Sequence, residues 1–396
     1  MNILISGAGV AGPAAAFWLQ RYGFMTTVVE RAPALRSDGF AVDFRGSAHI
    51  GVLTRMGILD DVRAIQTNMG TQNVISATGK TLASLPSEFM SGEVEVLRGE
   101  LSHLLYERTK DNTEYVFGDH ITGLSETPGG VDVTFAHAAP RTFDLVIGAD
   151  GLHSGVRSVA FGEESRFSRF HDYYLAGFAT PNYLGLENRG VMYNEPGKGV
   201  MFSAGKRSTG ALLVFASSER GFDRLPADEQ KQLVAETFAE VGWETARFVE
   251  AMWQAPDFYF DSISTIHMPG YTSGRITLLG DAGYGATCGG MGTGAAIVCA
   301  YVLAGELARA DYRTAFGRYE SLVRDYVTNC QKSAERAGSF LAPRTRRAIW
   351  TRNKMYRLLG MPAMTNMFNK MTTKAASNIA LPSYDEVCPA RPASQS

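Results

Sequence analysis

Apolar positions open the chain in a strand–helix–strand order. Asn2 to Ser6 (NILIS) form a short apolar run rich in branched residues, the pattern of a buried strand. Ala14 to Tyr22 carry apolar residues at helical spacing, and Thr26 to Val29 return to strand character before Glu30. Two later apolar runs, Asp144 to Ile147 and Arg275 to Leu279, also read as strands, and each ends in glycine and aspartate. Residues 161–265 alternate differently. LAGFAT, GVMYNE, GVMFSAG and STGALLVFA are strand-like runs separated by turn signals such as Asn-Arg-Gly and Glu-Pro-Gly-Lys-Gly. They predict a mainly antiparallel sheet, with a helix from about Asp228 to Val241. Ala295 to Leu307 is apolar but shorter than a membrane span, and predicts a buried helix. Residues 313–336 place Arg318, Arg324, Lys332 and Arg336 among apolar residues at helical spacing. A long amphipathic helix packing across the molecule is the favoured reading, and membrane or nucleic-acid contact the alternative. The methionine-rich segment 355–371 is adaptable apolar surface.

Glycines turn the first three elements into a candidate nucleotide site. Gly7, Gly9 and Gly12 follow the first strand with G-x-G-x-x-G spacing. The first permits a tight turn, the second lets the backbone approach a pyrophosphate, and the third lets helix and strand pack closely. Pro13 falls in the first helical turn, where its missing N–H costs nothing. The helix start would face phosphates with its positive end. Glu30 lies about 20 residues beyond the loop, where a ribose partner is expected. Arg31 reads equally as a phosphate contact or a solvated strand-end charge. Asp150, in GADG, and Asp281, in GDAG, stand at strand ends where a carboxylate can accept from ligand hydroxyls. Helix capping is the alternative for either.

These motifs, in this order, resemble the class A flavin monooxygenases, the para-hydroxybenzoate hydroxylase-like group, over roughly residues 1 to 310. The resemblance implies an α/β fold: a Rossmann-like FAD-binding domain, a mainly antiparallel β-sheet substrate domain and a C-terminal helix. It implies FAD and NADPH as cofactors. It assigns Arg98, in EVLRGELSHLL, to the flavin side of FAD, Asp281 to the ribityl and pyrophosphate region, and Asp150 to both cofactors, with Arg157 beside it. Within the group, RSDGFAVDFRG (36–46) is most similar to the tetracycline-inactivating monooxygenases and, beyond them, the aromatic polyketide hydroxylases. By that match Arg36 would meet NADPH and Asp43 would meet FAD, while Arg45 and Gly46 pass the isoalloxazine. Gly290, Met291 and Gly292 match the place where backbone N–H groups face the flavin pyrimidine edge. Relatives carry prolines before that glycine pair, whereas GYGATCGGMGTG has none and is one residue shorter, which predicts a looser loop.

The resemblance further implies hydroxylation of a polycyclic phenolic or enolic molecule, tetracycline-like or an aromatic polyketide, through a flavin hydroperoxide. Antibiotic resistance is one role that would follow, biosynthesis another. A flavoprotein of another reaction type, or one that sequesters a drug or senses redox state, is the competing reading. No catalytic base stands out. His171, Tyr173, Tyr174 and Tyr193 fall in the substrate segment, and a structural role for His171 is favoured over titration near neutrality.

Composition narrows the setting. The chain has 396 residues, 45% hydrophobic and 20% charged, as expected of an ordinary globular protein. A net charge of −2 gives no reason to expect nucleic acid. Cys288, Cys299, Cys330 and Cys388 show no metal-ligand or C-x-x-C spacing and read as reduced thiols of a cytoplasmic protein, with no metal. The expected organisation is a discontinuous FAD-binding domain (1–68, 93–160, 266–312), a substrate domain (69–92, 161–265), a helical segment (313–386) and a disordered tail (387–396). A monomer with a small-molecule substrate and no membrane or nucleic-acid partner is expected.

Overall fold

The computed structural model describes residues 1–36, 40–87, 91–288, 291–359, 364 and 376–387. It is a mixed α/β protein. A six-stranded sheet has the order Thr272–Ser273, Ile276–Leu278, Leu145–Gly148, Asn2–Ser6, Met25–Glu30, Thr113–Phe117. All its pairings are parallel except the one between Thr272–Ser273 and Ile276–Leu278. Ile3, Leu4, Ile5, Leu145, Val146 and Ile147 are fully buried, because helix Ala11–Arg21 and strands Gly130–Phe135 and Arg141–Phe143 of a separate three-stranded sheet pack against these strands. Helix Ala11–Arg21 packs on helix Gly292–Arg309, which is buried continuously from Gly294 to Leu307. Glu306 inside that apolar stretch accepts from Tyr384 Oη at 2.7 Å and faces Arg318 at 3.8 Å, so its charge is not stranded.

The alternating region forms a seven-stranded sheet in the order Tyr259–Ile266, Ser168–Ala179, Thr209–Ala216, Lys198–Ala204, Arg189–Glu195, Gln72–Ile75, Thr81–Leu85. Only Arg189–Glu195 and Gln72–Ile75 pair in parallel. Alternation sends Tyr174, Ala176 and Phe178 to one face, where Phe202, Phe215, Phe238 and Phe248 fill the space beneath helices Ala227–Phe238 and Thr245–Gln254. Tyr173 and Leu175 go to the other, against Met192, Met201, Ile263 and Leu341.

Helix Tyr312–Ala334 is capped by Asp311, which accepts from Arg313 N and Thr314 N. Its buried stripe is Ala315, Phe316, Tyr319, Val323, Tyr326, Val327 and Cys330. It contacts both helix Gly292–Arg309 and strand Tyr259–Ile266, so it bridges the two sheet systems. Arg324 donates to the carbonyls of Met268 and Pro269, so part of the basic pattern serves the protein's own backbone. Helix Arg346–Leu359, with exposed Trp350 and Leu358, follows. Cys299 and Cys330 are buried free thiols. No described helix is long and apolar enough to cross a membrane. Most of the methionine-rich segment, Cys388 and residues 389–396 lie outside the described residues.

Candidate active site

The three N-terminal glycines do three different jobs. Gly7 has φ +105°, and a Cβ there would lie 2.5 Å from Ala149 O, just past the end of strand Leu145–Gly148 in the second motif. A Cβ on Gly12 would lie 1.9 Å from Gly7 O, so the helix can start this close to the strand only without one. A Cβ on Gly9 would meet only Arg98 Nη2, at 3.6 Å. Gly9 therefore faces open space beneath the Arg98 guanidinium. The helix N-cap, Val10, makes no side-chain capping bond, and the first turn holds no acidic residue. Its positive end is left for an anion. Glu30 closes the second strand and is held by Ala8 N at 2.7 Å and Ala32 N at 2.9 Å, which fixes the carboxylate beside the loop.

The two aspartates, similar in sequence, differ in environment. Asp150 accepts from Ser154 Oγ at 2.5 Å and Val156 N at 3.1 Å, and Ser154 caps Arg157 N at 2.9 Å. Capping is thus part of what Asp150 does. Arg31 is exposed and reaches this turn: its Nη2 is 3.9 Å from where a Cβ on Gly155 would be. Asp281 opens the short helix Asp281–Tyr284 and receives no side-chain cap bond. Burial pushes its carboxyl up, the Arg98 charge opposes that, and Asp261 reinforces it. Gly280 has φ +65°, and a Cβ there would touch Ala11 Cβ at 3.0 Å, which sets Asp281 beside the first turn of the N-terminal helix. A Cβ on Gly292 would lie 3.4 Å from Asp281 Oδ1. Met291, buried, is the N-cap of helix Gly292–Arg309 and makes no side-chain capping bond, so a second helix start opens on the same place. Gly290 lies outside the described residues.

Arg157 is fully buried. It donates to Leu152 O at 2.6 Å, Ala282 O at 2.9 Å and Glu164 Oε2 at 2.7 Å. It joins the second motif to the third and has no exposed surface to offer a ligand.

Asp43 and Arg45 form an ion pair on strand Ala41–Phe44 and the turn after it. Gly46 N donates to Glu93 Oε1 at 2.7 Å, and Arg45 N donates to His49 Nδ1 at 3.1 Å. His49 Nε2 contacts Tyr326 Oη at 2.7 Å; burial, then the Arg45 charge, lower its pKa to about 3, so it stays neutral. Arg36 is exposed, and no ion pair holds it among the described residues.

The proline-free loop is not loose over Gly285–Thr287. Ile266 N donates to Gly285 O at 2.9 Å, Thr287 N donates to Ser264 O at 3.1 Å, and Thr265 bridges Ala286. The loop is tied as an extra short strand to Tyr259–Ile266. A proline at Thr287 would lack the donor that makes this bond.

Three groups that sequence reasoning missed lie on the same strand or against it. Tyr259 Oη donates to Asp261 Oδ2 at 2.8 Å, and Ser262 N donates to Asp261 Oδ1 at 2.7 Å. His153, two residues beyond the second motif's glycine, reaches Asp261 Oδ1 through Nε2 at 3.3 Å and Glu164 through Nδ1 at 3.0 Å. Its position inside GADGLHS was the available signal. Asp223 joins His153 and Asp261 in a group whose ligand-type atoms lie within 4.8 Å of one another. The Asp261 hydrogen bond and the Glu164 hydrogen bond, against burial, raise the His153 pKa to about 10. A raised pKa makes a contribution present in full below the unfolded value of 6.5 and lost as pH climbs through about 10. Replacing His153 with Gln is therefore expected to flatten the fall in melting temperature between pH 7 and 10; an unchanged profile would refute the pairing.

The substrate-segment residues singled out in the sequence are engaged in packing. His171 Nε2 meets Thr265 Oγ1 at 2.9 Å, and burial lowers its pKa. Tyr174 donates to Glu219 O at 3.0 Å and stacks on Phe260, while Tyr193 donates to Glu195 at 2.8 Å. Tyr173 lies buried beneath the Arg344 guanidinium.

Comparison with known proteins agrees with this geometry. The sequence model described as FAD binding domain matches residues 1–340. A flavin-dependent monooxygenase of Legionella longbeachae is 37% identical over 343 residues, covering 84% of this chain and 87% of that protein. The uncharacterized protein Rv1260 of Mycobacterium tuberculosis is 39% identical over 341 residues, covering 83% and 91%. The crystal structure of tetracycline destructase Tet(55) superposes with a TM-score of 0.82 at 35% identity, covering 96% of this chain and 98% of that one. Matched over most of its length and carrying the cradle that such a cofactor needs, the chain belongs to the FAD-binding-domain family and is a flavin-dependent monooxygenase.

Proposed function

We propose that this protein uses NADPH and O₂ to hydroxylate a polycyclic phenolic or enolic small molecule, of the tetracycline or aromatic polyketide kind. The observation that carries this reading is the convergence of Gly9, two uncapped helix starts, Arg98 and Asp281 beside strand Tyr259–Ile266 of the seven-stranded sheet. The similarity to a tetracycline destructase supports the substrate class.

The residues fit FAD: side-chain-free backbone at Gly9 and an unclaimed helix start suit a pyrophosphate, and a fixed Glu30 suits ribose hydroxyls. When bound, FAD supplies the redox centre that accepts electrons from a nicotinamide and passes them to oxygen. Around it the protein binds, orients and excludes water. Asp281 and the Met291–Gly292 helix start would hold the ribityl and ring end, and Arg98 would offer positive charge over the loop. The sheet strand, tied to the loop through Gly285–Thr287, keeps water from the reacting centre. Exposed Arg31 and Arg36 supply charge for the phosphates of NADPH.

The test is NADPH consumption by FAD-loaded protein across tetracyclines, anthraquinones and simple phenols, with product masses recorded. Stimulated consumption with one added oxygen on one class is the expected result. Tight binding with no stimulation would replace the oxygenase reading with drug sequestration.

A further inference from the structure

Tyr259 and Asp261 lie where the described machinery has no use for them. They are two residues apart on one strand, so their side chains share a face. Tyr259 is half-buried, and its ring meets Phe40 edge-on at 5.6 Å, next to the strand that carries Asp43. It lies close enough to Arg98 and Asp281 to feel both charges, and burial, then Asp261, keep its hydroxyl protonated. Asp261 is 5% exposed, with both oxygens engaged. Oδ1 takes Ser262 N and His153 Nε2, and Oδ2 takes the Tyr259 hydroxyl. A carboxylate only accepts, so the phenol proton is committed to it. What Tyr259 has left is the acceptor capacity of its oxygen.

We propose that Tyr259 is a substrate-specificity residue, fixed by Asp261 as an acceptor only, which selects molecules presenting a hydroxyl or amide N–H to it and disfavours the corresponding ethers. Asp261 is then a positioning residue. This rests on the substrate-hydroxylating reading above and deepens it by naming the group recognised. An ether placed there leaves two acceptors facing each other, whereas a hydroxyl completes a hydrogen bond.

The experiment titrates the FAD-loaded protein with 1-naphthol and with 1-methoxynaphthalene, reading the flavin absorbance change without NADPH. The wild type is expected to favour the naphthol by about three- to tenfold, the worth of one neutral hydrogen bond. Tyr259→Phe, which keeps the ring, should bring the ratio close to one. Asp261→Asn should also reduce it, because the amide can donate to the tyrosine oxygen and free the phenol proton to point elsewhere. FAD affinity, measured on the same samples, separates this loss from a damaged fold. A wild-type ratio near one, binding of neither compound, or variants that keep the wild-type ratio would overturn the proposal. NADPH oxidation stimulated by a tetracycline or phenol while the ratio test fails leaves the oxygenase reading standing and removes only this inference. A Tyr259-dependent ratio with no stimulation by any compound does the reverse.

Discussion

Gly12→Ala is expected to abolish measurable FAD binding and to lower the stability of the apo-protein, whereas Gly9→Ala is expected to lower FAD affinity with the apo-protein intact. The two substitutions add the same methyl group to the same motif, and the difference lies in what it meets. At Gly12 the added carbon lies 1.9 Å from Gly7 O, a backbone atom that cannot swing away. The helix start must retreat from the strand, which disturbs the buried contact of helix Ala11–Arg21 with the sheet and costs about 1–3 kcal/mol or more by overpacking. The turn at Gly7, itself pressed against Ala149 O, has no slack to absorb the shift. At Gly9 the nearest neighbour is the end of the flexible Arg98 side chain at 3.6 Å, so the apo fold accommodates the methyl. Only the pyrophosphate needs that space. Thermal unfolding of both apo variants beside FAD titration decides the matter. Equal stability losses, or Gly9→Ala binding FAD like the wild type, would show that the second glycine does not face the cofactor.

Arg157→Leu is expected to destabilise the protein by about 3–5 kcal/mol, the range for breaking a buried charged pair by removing one partner. The carbonyls of Leu152 and Ala282 lose this donor, and Glu164 loses one of its cationic partners. Two of them belong to the turns of the second and third cofactor motifs, so FAD occupancy should fall with stability. Arg157→Lys should recover only part of the loss, because one ammonium cannot reproduce a fork that spans separate carbonyls and a carboxylate. Denaturant unfolding of the two variants, with bound FAD measured by absorbance, gives the comparison. A lysine variant as stable as wild type would reduce Arg157 to a point charge. Because Glu164 also receives His153 and faces Arg224, the arginine and histidine substitutions share a partner and should not add.

Some of this was legible from residue order alone. NILIS followed by three spaced glycines requires a strand, a turn and a helix start, since only glycine tolerates the turn at Gly7 and the contact at Gly12. The alternation in GVMFSAG and STGALLVFA told strands from helices because a half-buried surface has period two. The apolar stretch from Ala295 to Leu307 named a buried helix, since so long an apolar run has nowhere else to go in water. Each of these is a local constraint, decided by neighbours within a few residues.

Tertiary structure decided the rest. That Gln72–Ile75 would pair in parallel with Arg189–Glu195 is not written in either segment, because alternation fixes which face is buried and leaves the partner strand open. Asp150 and Asp281 occupy similar motifs, yet one is spent on Ser154 and Val156 N while the other is desolvated between Arg98 and Asp261. The missing prolines predict a looser loop, and pairing with Ser264–Ile266 holds its Gly285–Thr287 part through an N–H that a proline lacks. His153 stands in GADGLHS, but nothing in the sequence links it to Tyr259 and Asp261, because 108 residues separate the histidine from the aspartate it touches. Sequence by itself determined the elements and the cofactor-binding motifs, whose physics is short-range. Which charges meet, which hydroxyls are fixed and what faces the cleft were set only when distant segments packed, because an electrostatic or hydrogen-bonding environment belongs to a place in space and not to a position in the chain.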